Sequence, residues 1–269
     1  MRETGDVLEI VQRAPHPALR RHVAGGYWGY REVGPPIRRV EVAQTGIVVH
    51  LALGPPLAVD GAVRGSFVAG LYDAPVVLDH AGEQLGMQVD FTPVGARLLF
   101  GRPLGDLTRD VVPADDVLGR SIAELEERLA GLPGWPERFD VLDAYLLRRL
   151  RDAEPPRADV AYAWARLAAT DGAVAVADLC RELGCSRRHL ASRFREELGL
   201  GPKAVGRILR FERAVEAVRA GRPLAAIAAQ CGYADQAHLT REFRALAGVT
   251  PAAYRDAVTN DQDGQAIPA

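Results

Sequence analysis

The sequence predicts an α+β protein: a β-rich, barrel-like N-terminal domain that ends in helices, then an all-α domain with two helix-turn-helix units joined by a long helix. Three observations predict it. Short β-branched runs give way to helical spacing after Phe91. The net charge changes sign near residue 156. The stretch "RRHLASRFREELGLGP" (187–202) returns as "QAHLTREFRALAGVTP" (236–251).

Length and charge divide the chain in the same way. With 269 residues and 48% hydrophobic content it can bury a core, and at roughly 100 to 200 residues per domain it is long enough for two. Residues 1–156 carry 17 arginines against 22 acids, a net charge of −5, and residues 157–258 carry 16 basic residues against 11 acids, a net of +5. The cut falls in "EPPR" (154–157), and such asymmetry hints at polyanion binding by the basic part. Residues 259–269 add two aspartates and read as a disordered tail. The opening "MRETGDVLEI" has no basic stretch followed by an apolar run, and no run of about 18 apolar residues occurs, which predicts a cytoplasmic protein with no membrane contact. Cys180, Cys185 and Cys231 are odd in number, lack C-x-x-C spacing and fall in helical text, so they read as small core hydrophobes.

From about residue 38 to residue 91 the text is "RRVEVAQTGIVVHLAL", "LAVDGAVRGSFVAGL" and "DAPVVLDHAGEQLGMQVDF". Val, Ile and Leu runs between Gly and Pro clusters are what a sheet or small barrel requires. A pocket inside it should be apolar, lined by Val, Leu, Phe67 and either Trp28 or Tyr72, with a few polar groups orienting a small ligand. No residue there identifies that ligand. His50 and His80 lack the close His-x-His spacing of a metal barrel and read as solvent-facing or hydrogen-bonded strand histidines. Downstream, Ile122, Leu125 and Leu129 recur at helical intervals, as do Phe139, Leu142, Leu146 and Leu150 behind Pro136, which suits a first turn. These two stripes are expected either to cover the barrel or to supply the contact of a homodimer.

From Asp159 onward nothing reads as strand. Asp159 is placed to cap "VAYAWARLAAT", Gly184 closes "AVADLCRELG", and Ser186 caps the next helix. Two short helices meeting at a glycine turn form a helix-turn-helix unit, which offers its second helix to a DNA major groove. The text "PLAAIAAQCGYADQAHLTREFRALAG" rebuilds the unit with Gly232 in the turn and Asp235 as cap. Between the copies, residues 202–221 make one long helix with Ile208, Val215 and Val218 on one side. Leu190 with Phe194, and Leu239 with Phe243, are spaced i, i+4 and share an inward face. At about 100° per residue, the opposite faces carry Arg188, Ser192 and Arg195 in the first copy and Ala237, Arg241 and Arg244 in the second.

These stretches resemble the paired helix-turn-helix DNA-binding domain of the AraC/XylS family of transcription regulators. The resemblance covers about residues 174–255 and is carried by "LCRELGCSRRHLASRFREELG", "RILRFERAVEAV" and "IAAQCGYADQAHLTREFRALAGVTPAAYR". Less specifically, "FTPVGARLLFGRPLGDLTRDVVPADDVLG" resembles the segment after the barrel in such regulators. The resemblance implies a bacterial regulator whose two recognition helices enter successive major-groove segments on one face of double-stranded DNA. A small-molecule effector, a second copy of the chain and RNA polymerase are further expected partners, with no cofactor expected and no metal expected from the histidine spacing. One departure concerns the first recognition helix, where Ala191 and Ser192 stand at positions that are often larger and polar in the family, so readout there rests more on Arg188.

Arg188 and Arg241 carry the planar donor fork that matches guanine O6 and N7, worth about 1 to 3 kcal/mol of discrimination per good pair. With Ser192 and Gln236 they make up the expected base-reading set. Arg187, Arg193, Arg195 and Arg244 are the expected backbone anchors. His189 and His238 occupy equivalent places beside core leucines and read as packing or phosphate-facing residues without a catalytic role.

Two other readings differ in class. One is a metal-dependent barrel enzyme fused to a DNA-binding domain. The family's DNA-binding domain also occurs fused to DNA-repair alkyltransferases, but all three cysteines lie in the C-terminal half, which leaves no N-terminal thiol to accept an alkyl group. The other is a DNA-binding protein whose N-terminal half only dimerises or contacts a partner. A regulator without enzymatic activity is the leading expectation.

Overall fold

The structure is a computed structural model and describes residues 7–260. Ten strands fall among the described residues: β1 (Val7–Arg13), β2 (Val23–Val33), β3 (Ile37–Glu41), β4 (Ile47–Ala52), β5 (Leu57–Val59), β6 (Ala62–Arg64), β7 (Phe67–Ala69), β8 (Val76–His80), β9 (Glu83–Phe91) and β10 (Val111–Pro113). They form a six-stranded antiparallel sheet in the order β1-β2-β9-β4-β7-β10 and a four-stranded one in the order β3-β8-β5-β6. No ladder joins the two sheets among the described residues, so the expected barrel is not closed.

The strands begin upstream of Arg38. Glycines disguise β2: Gly25, at φ 80°, sits in the bulge between Val23 and Tyr27, and a Cβ on Gly29 would stand 2.4 Å from the Trp135 ring. Alternation gives the large sheet two faces. Tyr27, Ile47, Val49, Leu51, Met87, Val89 and Phe91 are buried on one of them. Trp28, Tyr30, Val48, His50, Gln88 and Asp90 face a cavity on the other.

Four helices complete the N-terminal part, α1 (Pro93–Phe100) before β10, and α2 (Ala114–Leu118), α3 (Ser121–Ala130) and α4 (Trp135–Arg151) after it. Ile122, Leu125, Leu129, Phe139, Leu142 and Leu146 are buried, and the stripes of α3 and α4 close over Val49, Leu51, Val89 and Phe91 of the sheet. Their apolar surface is therefore spent on the sheet, which corrects the expectation that it supplies a homodimer contact. The Asp143 carboxylate of α4 fixes this layer. It accepts from Tyr27 Oη at 2.8 Å and the His16 amide at 3.0 Å, and it pairs with Arg13 Nη2 at 2.7 Å.

The C-terminal part is helical throughout: α5 (Ala158–Ala169), α6 (Val176–Glu182), α7 (Arg187–Leu198), α8 (Pro202–Arg219), α9 (Leu224–Gln230), α10 (Gln236–Ala247) and α11 (Pro251–Asn260). Leu190, Phe194, Ile208, Val215, Val218, Leu239 and Phe243 are buried, as the helical spacing requires. Cys180 and Cys231 are buried and Cys185 partly so, and all three are free thiols. Asp159 departs from expectation. Arg157 holds the N-cap place of α5, and Asp159 sits inside the first turn, accepting from the Val160 amide at 3.0 Å and pairing with Arg193. The last helix runs to Asn260, past the expected tail boundary, and the rest of that tail lies outside the described residues.

Candidate nucleic-acid interface and adjoining cavity

Helices α7 and α10 are built alike. Ser186 Oγ accepts from the His189 amide at 3.2 Å, and Asp235 Oδ1 accepts from the His238 amide at 2.6 Å, each satisfying an amide that the first helical turn leaves without a backbone partner. The turn before each helix passes through a left-handed glycine, Gly184 at φ 62° and Gly232 at φ 73°. With Leu190, Phe194, Leu239 and Phe243 turned inward, Arg187, Arg188, Ser192 and Arg195 are exposed on α7, and Gln236, Arg241 and Arg244 on α10. Among the described residues, no ion pair or side-chain hydrogen bond occupies the guanidinium of Arg187, Arg188, Arg195, Arg241 or Arg244. Five donor forks thus face solvent from two helices.

Arg193 is not among them. Its guanidinium is half-buried and pairs with Asp159 of α5, which, against expectation, leaves it poorly placed to anchor a DNA backbone. The repeat carried the signal: forty-nine residues on, the equivalent position is Glu242, which pairs with Arg207 of α8 at 2.7 Å. In both copies this position ties the recognition helix to the helix that precedes its unit, with the charges reversed. His238 Nδ1 accepts from the Ala234 amide at 3.2 Å and its ring lies edge-on to Tyr233 at 5.3 Å, so it shapes the turn. His189 is exposed.

The N-terminal part grips the far ends of both helices. The Leu104 amide donates to Glu197 O at 3.2 Å and the Ala43 amide donates to Leu246 O at 2.9 Å. Glu197 and Leu246 are equivalent positions of the repeat. Arg97 of α1 adds a buried ion pair to Glu197 at 2.6 Å. Thr45, between β3 and β4, gives its amide to Glu212 Oε1 of α8 at 2.6 Å and its hydroxyl at 3.0 Å. Burial raises the Glu212 pKa, opposed by these two bonds. None of these contacts covers the N-terminal turns of α7 and α10.

A family profile described as a helix-turn-helix domain matches residues 179–257. Over 81 residues the chain is 37% identical to an AraC-like transcription regulator of Streptomyces antibioticus, covering 30% of this chain and 27% of that protein. Residues 179–257 are an AraC-type helix-turn-helix domain. Over 82 residues the chain is also 35% identical to the HTH-type transcriptional activator RhaR of Pectobacterium carotovorum, covering 30% of this chain and 29% of that one. The matched stretch is thus less than a third of either curated relative. Among solved structures, ToxT from Vibrio cholerae aligns over 87% of this chain and 97% of its own at 15% identity, with a TM-score of 0.47.

Beside the AraC-type domain lies a cavity of about 350 Å³ between the two sheets, reached by Arg219 from the end of α8. Trp28, Gln88, His50 and Phe67 form one cross-strand row of its wall. His50 stacks on Phe67 with centroids 4.7 Å apart. Tyr30 Oη and His50 Nδ1 are 2.7 Å apart, and a Cβ on Gly86 would meet that hydroxyl at 2.6 Å, so glycine is what lets Tyr30 cross β9. Burial lowers the His50 pKa to about 4, leaving a neutral ring. His50 and His80 are both buried, which corrects the solvent-facing option. No group of three or more His, Cys, Asp or Glu side chains among the described residues is placed to hold a metal ion. No helix among them is long and apolar enough to cross a membrane.

Trp28, Phe67 and Tyr72 line the cavity, whose surface is mainly apolar as expected, and several charged side chains also enter it. Arg39 Nη2 lies 2.8 Å from each oxygen of Glu32, and His80 Nε2 lies 3.2 Å from Glu32 Oε2. Arg219 gives Nε and Nη2 to Tyr254 Oη at 3.0 and 2.6 Å. Burial pushes Glu41 up to about 7, with Asp90 adding to the rise and Arg39 and Arg219 opposing it. Asp90 itself is raised to about 6 by burial, against a bond from Gln88 Nε2 at 2.8 Å.

Proposed function

We propose that the chain is a sequence-specific DNA-binding transcription regulator in which residues 1–156 sense a small ligand and residues 157–258 bind DNA. The observation that carries this reading is the link between β3 and β4. Glu41, Val42, Gln44 and Gly46 line the cavity, while Ala43 and Thr45, interleaved with them, bond to Leu246 of α10 and Glu212 of α8. A ligand that reshapes one side of this link changes what the other side holds. Any ligand that binds more tightly to one arrangement of the recognition helices than to another shifts DNA affinity by that difference.

On the DNA side, Arg188, Ser192, Gln236 and Arg241 are the base-reading set, and Arg187, Arg195 and Arg244 anchor the backbone. Two recognition helices presented to one duplex face fit half-sites about one helical turn apart. Dimerisation would need a surface other than the stripes of α3 and α4.

Selection from a random duplex library by the full-length protein tests the reading. The expected result is enrichment of a bipartite site with centres about 10 base pairs apart. Recovery of unenriched DNA, or of none, would refute it.

A further inference from the structure

We propose that the cavity takes a small organic cation, an amine carried on an aromatic body. This rests on the sensing reading above and names the ligand class of that same site.

The cavity carries two chemically distinct kinds of lining. Trp28, Tyr30, Phe67 and Tyr72, with the neutral His50 ring, supply aromatic faces. Glu41 and Asp90 enter from opposite walls, one on β3 of the small sheet and the other on β9 of the large one. Neither is part of an ion pair among the described residues, and the bond Asp90 receives from Gln88 is from a neutral amide. Two carboxylates facing one cavity without matching cations are costly to keep ionised, which agrees with the upward pKa shift of both.

The basic groups of the wall do not reverse this balance. Arg39 is matched by Glu32 through two bonds of 2.8 Å. Arg219 is engaged with the Tyr254 hydroxyl and sets one positive charge against two acids. An ammonium between Glu41 and Asp90 supplies the missing charge and three donors. Asp90 lies two residues along β9 from Gln88, in the row of Trp28, His50 and Phe67. Two strand residues span about 7 Å, so the aromatic row and the Asp90 carboxylate are close enough to be met by one short arylalkylamine. The aromatic faces hold such a ring and add cation–π attraction to its charge. A carboxylate in the same place would meet two like charges.

The test uses full-length protein with phenethylamine, its uncharged counterpart phenethyl alcohol, and phenylacetate, read by calorimetric titration and melting. Saturating phenethylamine should raise the melting midpoint by about 5 °C or more, with the alcohol binding at least about tenfold more weakly and phenylacetate giving no shift. Asp90→Asn and Glu41→Gln should each keep the ligand-free midpoint or raise it, and weaken the amine at least about tenfold. Retention of a normal midpoint shows that lost binding is not lost folding. A shift from phenylacetate alone, or equal shifts from alcohol and amine, would overturn the cation inference while leaving a ligand-sensing cavity. Absence of any shift from all three would overturn both.

Discussion

The ion pair between Arg97 and Glu197 joins the N-terminal part to helix α7, and removing the arginine should loosen that helix in particular. Arg97 Nε lies 2.6 Å from Glu197 Oε2, and the two side chains are 13% and 8% exposed. Arg97→Met keeps most of the aliphatic stem and leaves a carboxylate in a nearly dry site. Deleting one partner of a buried pair costs about 3 to 5 kcal/mol, because the remaining charge has nothing to replace its lost solvation. At about 2 to 4 °C per kcal/mol for a chain of this size, the melting midpoint should fall by about 6 °C or more. Glu197→Gln removes the orphaned charge, so the double variant should recover part of that loss. The cycle should return a coupling of about 1.5 to 3 kcal/mol. Hydrogen exchange should place the added opening at residues 102–108 and the last turn of α7, where the Leu104 amide meets Glu197 O. A loss below about 1 kcal/mol with additivity within about 0.5 kcal/mol would refute the reasoning, since the pair would then behave as a solvated surface contact.

Arg241→Ala and Arg188→Ala should each cost about 1 to 3 kcal/mol on a cognate duplex and little on a scrambled one, whereas Arg244→Ala should weaken both alike and reduce the salt slope by about one. Equal losses on both duplexes for Arg241→Ala, in a titration at two salt concentrations, would remove its base-reading role. Gly29→Ala sets a methyl where the Trp135 ring stands 2.4 Å away, so it should cost about 1 to 3 kcal/mol by overpacking, seen as a lower urea midpoint. An unchanged midpoint would show that the ring gives way. Glu41 and Asp90 have folded-state values of about 7 and about 6, above the ordinary 4.5 and 3.8, so their contribution to stability is full below the ordinary values and is lost as pH rises through about 6 to 7. The melting midpoint of the wild type relative to the Glu41→Gln, Asp90→Asn double variant should therefore fall between pH 5 and pH 8, and a constant difference would contradict the burial of the two acids.

The helical half was legible because each of its elements carries a local mark. Ser186 and Asp235 cap, Gly184 and Gly232 turn left-handed, and the buried pairs of α7 and α10 recur at i, i+4. The repeat holds a further mark: an acid, Glu242, stands where the first copy has Arg193, as expected of a position that faces a neighbouring helix and not DNA. In the N-terminal half the marks are inverted. On β3 the apolar Val40 is 51% exposed while Arg39 and Glu41 turn inward, so a rule that places apolar residues inside picks the wrong face at the cavity. β2 was illegible for a different reason: Gly25, Gly26 and Gly29 dilute the β-branched composition that marks a strand, and Gly29 is there for a ring more than a hundred residues away. The grip on α7 and α10 left no trace at all, because the amides of Ala43 and Leu104 are groups that nearly every residue carries.

The most direct test of the central claim is the affinity of the full-length protein for its best selected duplex and for a scrambled duplex of the same composition, measured across a range of salt. The account predicts a ratio of about 10³ or more near physiological salt. It also predicts that both affinities fall with salt by about 0.9 in log K per log salt for each neutralised phosphate. Equal affinities for the two duplexes, or binding that ignores salt, would contradict it.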